Sequence, residues 1–415
     1  MPDPGLLPFV AGLPLLDHHC HGVIRRDLGR RGFEALLTEA GDAYGAQAAT
    51  PPQAHEYPER DGGSPDPPRV GPGGTAPGGV TLFDSQIGLA VRRWCPPVLG
   101  LDAHVPPGTY LDRRAELGAD EVNRRFLRAA GLGGVLVDTG FEPEPLLSPA
   151  EMGKLAGVEA REIVRLEQVA ESVAAGGVSA AGFAGAFRDA LADRARGAAG
   201  VKSVAAYRVG LDLPAERPAG AEVAAAAARW LGAQGNGRTG PRRLADPVLH
   251  CFLIWSGADL GLPVQFHVGY GDRDVDLHRG NPLLLTGLLR AIEPTGTPVM
   301  LLHNYPYHRE AGYLAQVFPN VYVDVGLATH NVGHRAPALI AETLEMAPFG
   351  KFLYSSDAFG LPELYYLGAV LFRRGLSAFL RAGLDDGAWT AGDAERVARQ
   401  AAYGNAGRVY GLPAT

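Results

Sequence analysis

Apolar and polar positions along this chain fall into two regimes. From Gly133 onward, short β-branched or apolar runs recur at Gly134–Asp138 (GVLVD), Ile163–Glu167 (IVRLE), Val201–Tyr207 (VKSVAAY), Pro263–His267 (PVQFH), Pro298–His303 (PVMLLH), Val321–Val325 (VYVDV) and Lys351–Asp357 (KFLYSSD). Between them lie stretches with helical spacing, among them AGFAGAFRDALADRARG, AEVAAAAARWLGAQG, DPVLHCFLIWSGADLG, NPLLLTGLLRAIEP and AGYLAQVFPN. Leu13, Leu15 and Leu16 make an earlier apolar run that leads into Asp17-His18-His19-Cys20-His21-Gly22. Two helical stretches, roughly Leu361 to Ala382 and Ala391 to Tyr403, close the chain.

Continuous apolar runs alternating with helices of this length predict parallel βαβ units. Counting the first run there are eight, which predicts an α/β fold of the (β/α)8 TIM-barrel type, one domain over 1–415. An open doubly wound sheet is the competing architecture, but Gly269-Tyr270-Gly271 lacks the third glycine and the helix start of a phosphate loop.

The stretch at 23–130 breaks the alternation. FEALLTEAGDAYGAQ, SQIGLAVRRW and Asp112 to Ala130 read as helices, while Pro51 to Gly79 is too rich in Pro and Gly to hold a regular element. We read it as a helical and irregular insertion after strand 1, placed to act as a lid over the barrel mouth.

Composition narrows the class. The 415 residues are 46% hydrophobic and 20% charged with a net charge of −7, enough apolar content for a large core and no basic stripe for nucleic acid. Three separated cysteines (Cys20, Cys95, Cys251) form neither a disulfide framework nor a CxxC pair, which suggests a reducing, cytoplasmic setting. The N-terminus lacks a basic leader region, and no run of about 18 apolar residues predicts a membrane span. A homodimer is a candidate assembly.

Candidate chemistry sits at the ends of the apolar runs. His267, His303 and Asp357 each terminate one, and in a barrel such carboxyl ends share the face where active sites lie. On a strand, alternation sends Asp17, His19 and His21 to one side and His18 and Cys20 to the other. His19, His21, His267, His303 and Asp357 therefore converge on one mouth, a donor set suited to Zn, Fe, Mn or Co as divalent ions. His55 and His104 fall in the insertion and His250 in a predicted helix. His278, His308, His330 and His334 follow strands 5 to 7 in loops at the catalytic face, where substrate contact is open to them but an ordinary loop role is the simpler reading.

The HxH on strand 1, with His267, His303 and Asp357 ending strands 5, 6 and 8, resembles the amidohydrolase superfamily. More narrowly, FHVGYGDRDVDL, LLHNYPYHREAGYLAQVFPNVYVDVG and KFLYSSDAFGLPE are similar to the amidohydrolase-related (amidohydrolase 2) branch that includes the N-terminal domain of fungal glutamine-synthetase-like developmental proteins. The likeness covers strand 1 and most of Gly133 to Gly411.

The resemblance implies that His19, His21 and His267 are metal ligands and that Asp357 binds metal and takes the proton of the attacking water. His303 is implied as a second-metal ligand or a group that polarises the substrate. Lys202, in GVKSVAAYRVG, occupies the strand on which binuclear members place a bridging carboxylated lysine, yet it stands several residues before the apparent strand end. One or two divalent ions are thus expected, as is hydrolysis at the carbonyl of an amide, lactone or ester. Arg208 is a candidate clamp for a substrate carboxylate, with Tyr207 beside it, because guanidinium geometry matches two oxygens. Asp17 and Asp272 are candidate supports for the ligands. The substrate expected is a small acid-bearing molecule; thioester hydrolysis, metal-dependent non-oxidative decarboxylation and a non-catalytic binding barrel are the alternatives.

Overall fold

The computed structural model describes residues 5–40, 81–141, 143–232 and 243–413. Seven parallel strands pair in sequence order to form one curled sheet: β1 Leu15–Cys20, β2 Leu132–Asp138, β3 Ala160–Arg165, β4 Gly200–Ser203, β5 Val264–Val268, β6 Val299–His303 and β7 Val321–Val323. Helices fill the connections, among them Leu166–Ala175, Phe183–Arg194, Pro247–Asp259 and His308–Val317.

The expected eighth strand at Lys351–Asp357 is not a strand. Phe352 makes only an isolated bridge to Val323, and Ser356 turns its N–H and hydroxyl to the Asp17 carboxylate instead of to a ladder. The segment still bonds to both edges of the sheet: Leu353 N–H donates to the Val323 carbonyl at 3.0 Å, and His18 N–H to the Tyr354 carbonyl at 3.2 Å.

Three other strands stop earlier than the apolar runs suggest. Leu166 and Glu167 open a helix, and the Glu167 carboxylate accepts from the Ser203 hydroxyl at 2.7 Å and from Val204 N–H at 2.9 Å. That bond draws the chain out of β4, and Ala205–Arg208 form a helical turn. At β7, Asp324 makes a last bond from its N–H to the Leu301 carbonyl at 3.3 Å, and its carboxylate accepts from Gly326 N–H, which turns the chain into the next helix.

Pleating divides the buried apolar residues into two layers. Leu16, Leu136, Ile163, Met300, Leu302 and Leu353 fill the concave side with Tyr403 and Tyr410 from the C-terminal helices. Their neighbours Leu15, Val135, Val164 and Leu301 pack on the helix side. Burying both faces explains why the strands read as unbroken apolar runs.

Within the insertion, helices Gln86–Trp94, Pro107–Leu117 and Ala119–Ala129 are present, the last two parted where Gly118 takes φ +75°. FEALLTEAGDAYGAQ yields only the helix Arg30–Ala35 before the described residues end, and the Pro51–Gly79 loop lies outside them. Arg114 and Tyr110 reach a buried carboxylate, Glu363, at 2.5 and 2.7 Å, fastening the insertion to helix Pro362–Asp385. Among the described residues, no helix is long and apolar enough to cross a membrane.

Candidate metal centre

β1 delivers its histidines through a bulge. Asp17 pairs with Val135 and Cys20 with Val137, so three steps on β1 oppose two on β2. The extra residue breaks the strict alternation expected from sequence. His18 points to the concave layer, where its ring nitrogens meet Tyr410 Oη at 3.1 Å and Asp324 Oδ2 at 2.9 Å. Cys20 points to the helix-side core, His21 lines the cavity, and His19 is fully buried with its Nε2 against Asp357.

There the Asp357 carboxylate is the common neighbour. Its Oδ1 lies 2.9 Å from His19 Nε2 and 3.3 Å from His21 Nε2, and its Oδ2 lies 3.3 Å from His303 Nδ1. The ligand atoms of His19, His21 and Asp357 fall within 4.8 Å of one another. His267 stands one ring further, 4.7 Å from the His303 centroid and 4.3 Å from that of Tyr207.

The electrostatics favour a cation at this place. Burial lowers His19 to about 3 and His303 to about 4, and holds His267 well below the usual histidine range. Burial alone would raise Asp357, but the three neighbouring imidazoles His303, His19 and His21 hold it well below the usual carboxylate range. Neutral imidazoles and an ionised carboxylate are the forms that ligate divalent ions. His267 Nε2, both ring nitrogens of His303 and Asp357 Oδ1 are buried without a hydrogen-bond partner. A buried polar atom left unsatisfied costs roughly 1–3 kcal/mol, so a cluster of them fits a metal better than an empty polar cavity.

Lys202 sits beneath this group at the end of β4, one residue before the strand stops, and not several residues before it. Its Nζ is 2.8 Å from His19 Nε2 and 3.4 Å from Asp138 Oδ2. Burial lowers its pKa, offset by Asp138. Asp138, which ends β2, also takes the Arg165 guanidinium at 2.6 Å and accepts from His21 Nδ1 through its carbonyl at 3.2 Å.

Behind the ligands, Asp17 holds Ser356, and Asp324 accepts from His303 N–H at 2.9 Å while pairing with His18. Asp272 accepts from Asp274 N–H and contacts none of the ligands by hydrogen bond. Arg208 lines the cavity with its guanidinium engaged by Glu171 at 2.9 Å. His278 and His334 are exposed, whereas His330 is buried, faces the cavity and is lowered to about 4 by burial.

The cavity above these groups has a volume of about 1170 Å³, and eight arginine or lysine side chains against five acids line it. Asp138, Arg165, Asp324, Phe141 and Phe359 were not foreseen from sequence. Asp138 carried the same signal as His267, a polar residue closing an apolar run; the others depend on contacts across strands that local pattern does not encode.

The family model described as amidohydrolase matches residues 158–412, a span that holds Lys202, His267, His303 and Asp357 and begins after His19 and His21. Protein fluG of Emericella nidulans is 33% identical over 241 residues, which cover 55% of this chain and 27% of that protein. The chain therefore spans about a quarter of the length of that curated relative. A Lactobacillus casei structure, provisionally described as a metal-dependent hydrolase, superposes with a TM-score of 0.72 at 30% identity over 97% of this chain and 96% of that one. A uronate isomerase from Thermotoga maritima shares the fold, with a TM-score of 0.60 at 11% identity and 98% of both chains covered.

Proposed function

Since the chain belongs to the amidohydrolase family, we propose that it is a metal-dependent hydrolase acting at the carbonyl carbon of an amide, lactone or ester in a small acid-bearing substrate. The observation that carries this reading is Asp357, whose carboxylate lies within 3.3 Å of His19, His21 and His303 at the floor of the cavity. We also read the segment at 352–357, bonded to both edges of the sheet, as the eighth stave of the barrel.

His19, His21 and Asp357 would hold the ion, with His267 beside them. When bound, a divalent ion supplies Lewis acidity and makes water a nucleophile near neutral pH. Asp357 takes the proton of the attacking water and passes it to the leaving group, a transfer that needs only hydrogen-bond reach. The unpartnered Nε2 of His303 is free to donate to the carbonyl oxygen as negative charge develops on it. The cationic excess around the cavity favours a substrate carrying acid groups.

Lys202 bears on the number of ions. Its approach to the ionised Asp138 supports an ammonium in place of a carboxylated bridge, and hence one ion per chain. A single ion also favours the second reading, non-oxidative decarboxylation of a carboxylate. Thioester hydrolysis would use the same groups as the leading reading.

Metal analysis of the purified chain, followed by assays of the metal-loaded protein on amide, lactone, thioester and aromatic carboxylate panels, separates these readings. Release of an acid from any of the first three supports hydrolysis. Carbon dioxide released from a carboxylate, with no hydrolysis, would overturn it.

A further inference from the structure

The cavity wall beside His21 is aromatic. Phe141, in the loop after β2, lines the cavity and is 45% exposed. Its ring lies 5.2 Å from that of Phe359, which meets the His21 ring edge-on at 5.9 Å. The Arg165 guanidinium, fixed by Asp138, stands 5.8 Å from the Phe141 ring centre. A phenyl face left in water forgoes burial free energy, and two rings held at an angle beside the reacting groups offer a stacking platform for a planar apolar group.

The side of the cavity formed by the connections after β4 and β5 has the opposite character. Arg208 and Arg243, between β4 and β5, are engaged by Glu171 and Asp274 at 2.9 and 2.7 Å. Arg273 lines the same cavity, is exposed, and has no carboxylate partner among the described residues. An unpaired guanidinium at the rim of a cavity is suited to a substrate carboxylate, which it can bind through two parallel hydrogen bonds.

We propose, resting on the hydrolase reading above, that the site selects two-ended substrates: an aromatic group seated on Phe141 and Phe359, joined through the scissile carbonyl to a short aliphatic acid whose carboxylate is bound by Arg273. Phe141 and Arg273 are then the specificity-determining residues of the two ends. On this reading the clamp is Arg273 in preference to Arg208, whose Nη1 already donates to Glu171.

Calorimetric titration of the metal-loaded full chain tests this with three probes: N-benzoylglycine, N-methylbenzamide, which lacks the acid, and N-acetylglycine, which lacks the ring. N-Benzoylglycine is expected to bind roughly ten-fold more tightly than either truncated probe. Phe141→Ala should abolish the advantage over N-acetylglycine alone, and Arg273→Gln the advantage over N-methylbenzamide alone. Both side chains are exposed, so the melting temperatures of the variants should match the parent's. Equal constants for the three probes, no binding of N-benzoylglycine at millimolar concentration, or variants that keep both preferences would overturn the proposal. Because the readout is binding, both preferences without turnover would count against the hydrolase reading and leave this one standing.

Discussion

The Asp17 carboxylate holds Ser356 by two bonds, one oxygen accepting from its N–H at 2.9 Å and the other from its hydroxyl at 2.5 Å. Ser356 precedes Asp357, so this pair fixes the backbone that aims the central carboxylate of the site. Burial raises Asp17 to about 7, its bonds to Ser356 notwithstanding. A carboxyl raised on folding contributes stability that is fully present below its ordinary value of 3.8 and is lost as pH rises through about 7. Between pH 6 and pH 8 the parent should therefore lose about 1 kcal/mol relative to Asp17→Asn, which has no group to titrate there. Urea unfolding of both proteins at the two pH values measures the difference; a gap that does not change with pH would contradict the assignment.

Removing a ligand should remove the ion. His19→Ala and Asp357→Ala are each expected to lower bound metal to background, measured by plasma mass spectrometry after dialysis. Chelation of the parent should lower its melting temperature, because an ion present at a hundred times its dissociation constant stabilises the fold by about 2.7 kcal/mol. Unchanged metal content in both variants would place the site elsewhere.

Lys202 approaches Asp138 at 3.4 Å and both are buried. We expect one ion per chain, with no increase when bicarbonate is added during metal loading. Two ions per chain, dependent on bicarbonate, would instead identify Lys202 as a carboxylated bridge.

Arg114 and Glu363 form a buried ion pair that joins the insertion to the helix following Asp357. Arg114→Ala would strand a carboxylate with 0% exposure, which should destabilise the fold by about 3–5 kcal/mol. Arg114→Lys should recover only part of that loss, since an ammonium cannot reproduce the guanidinium's two contacts. Denaturant titration of the two variants gives the comparison.

The site was legible wherever a polar residue closes an apolar run. His267, His303 and Asp357 show this because strands buried on both faces leave a long hydrophobic stretch for the eye to end on. The bulge in β1 left no such trace: one extra residue shifts side chains between faces without altering hydropathy, so His18 and Cys20, which strict alternation puts on one side, lie on opposite ones. The seventh and last paired strand was legible as well, but the eighth segment was not distinguishable from it, since what turns Ser356 out of a ladder is a carboxylate 339 residues earlier. Arg165 likewise reads as a strand residue until Asp138 is seen beside it.

His303, Asn304 and Asp357 all adopt positive φ, at 68°, 60° and 50°. For His303 that conformation costs on the order of 1–2 kcal/mol, less for Asn304 and Asp357, whose short polar side chains suit it better, and a glycine would occupy it freely. The fold thus gives up stability at the end of β6 and at the turn after Ser356, where His303 and Asp357 face each other. A chain shaped for durability alone would drift toward glycine there, shedding its chemistry as it hardened. On the proposed reading, chemistry and robustness are drawn from the same few backbone angles, so heat-resistant variants selected without holding these positions constant are expected to lose the site.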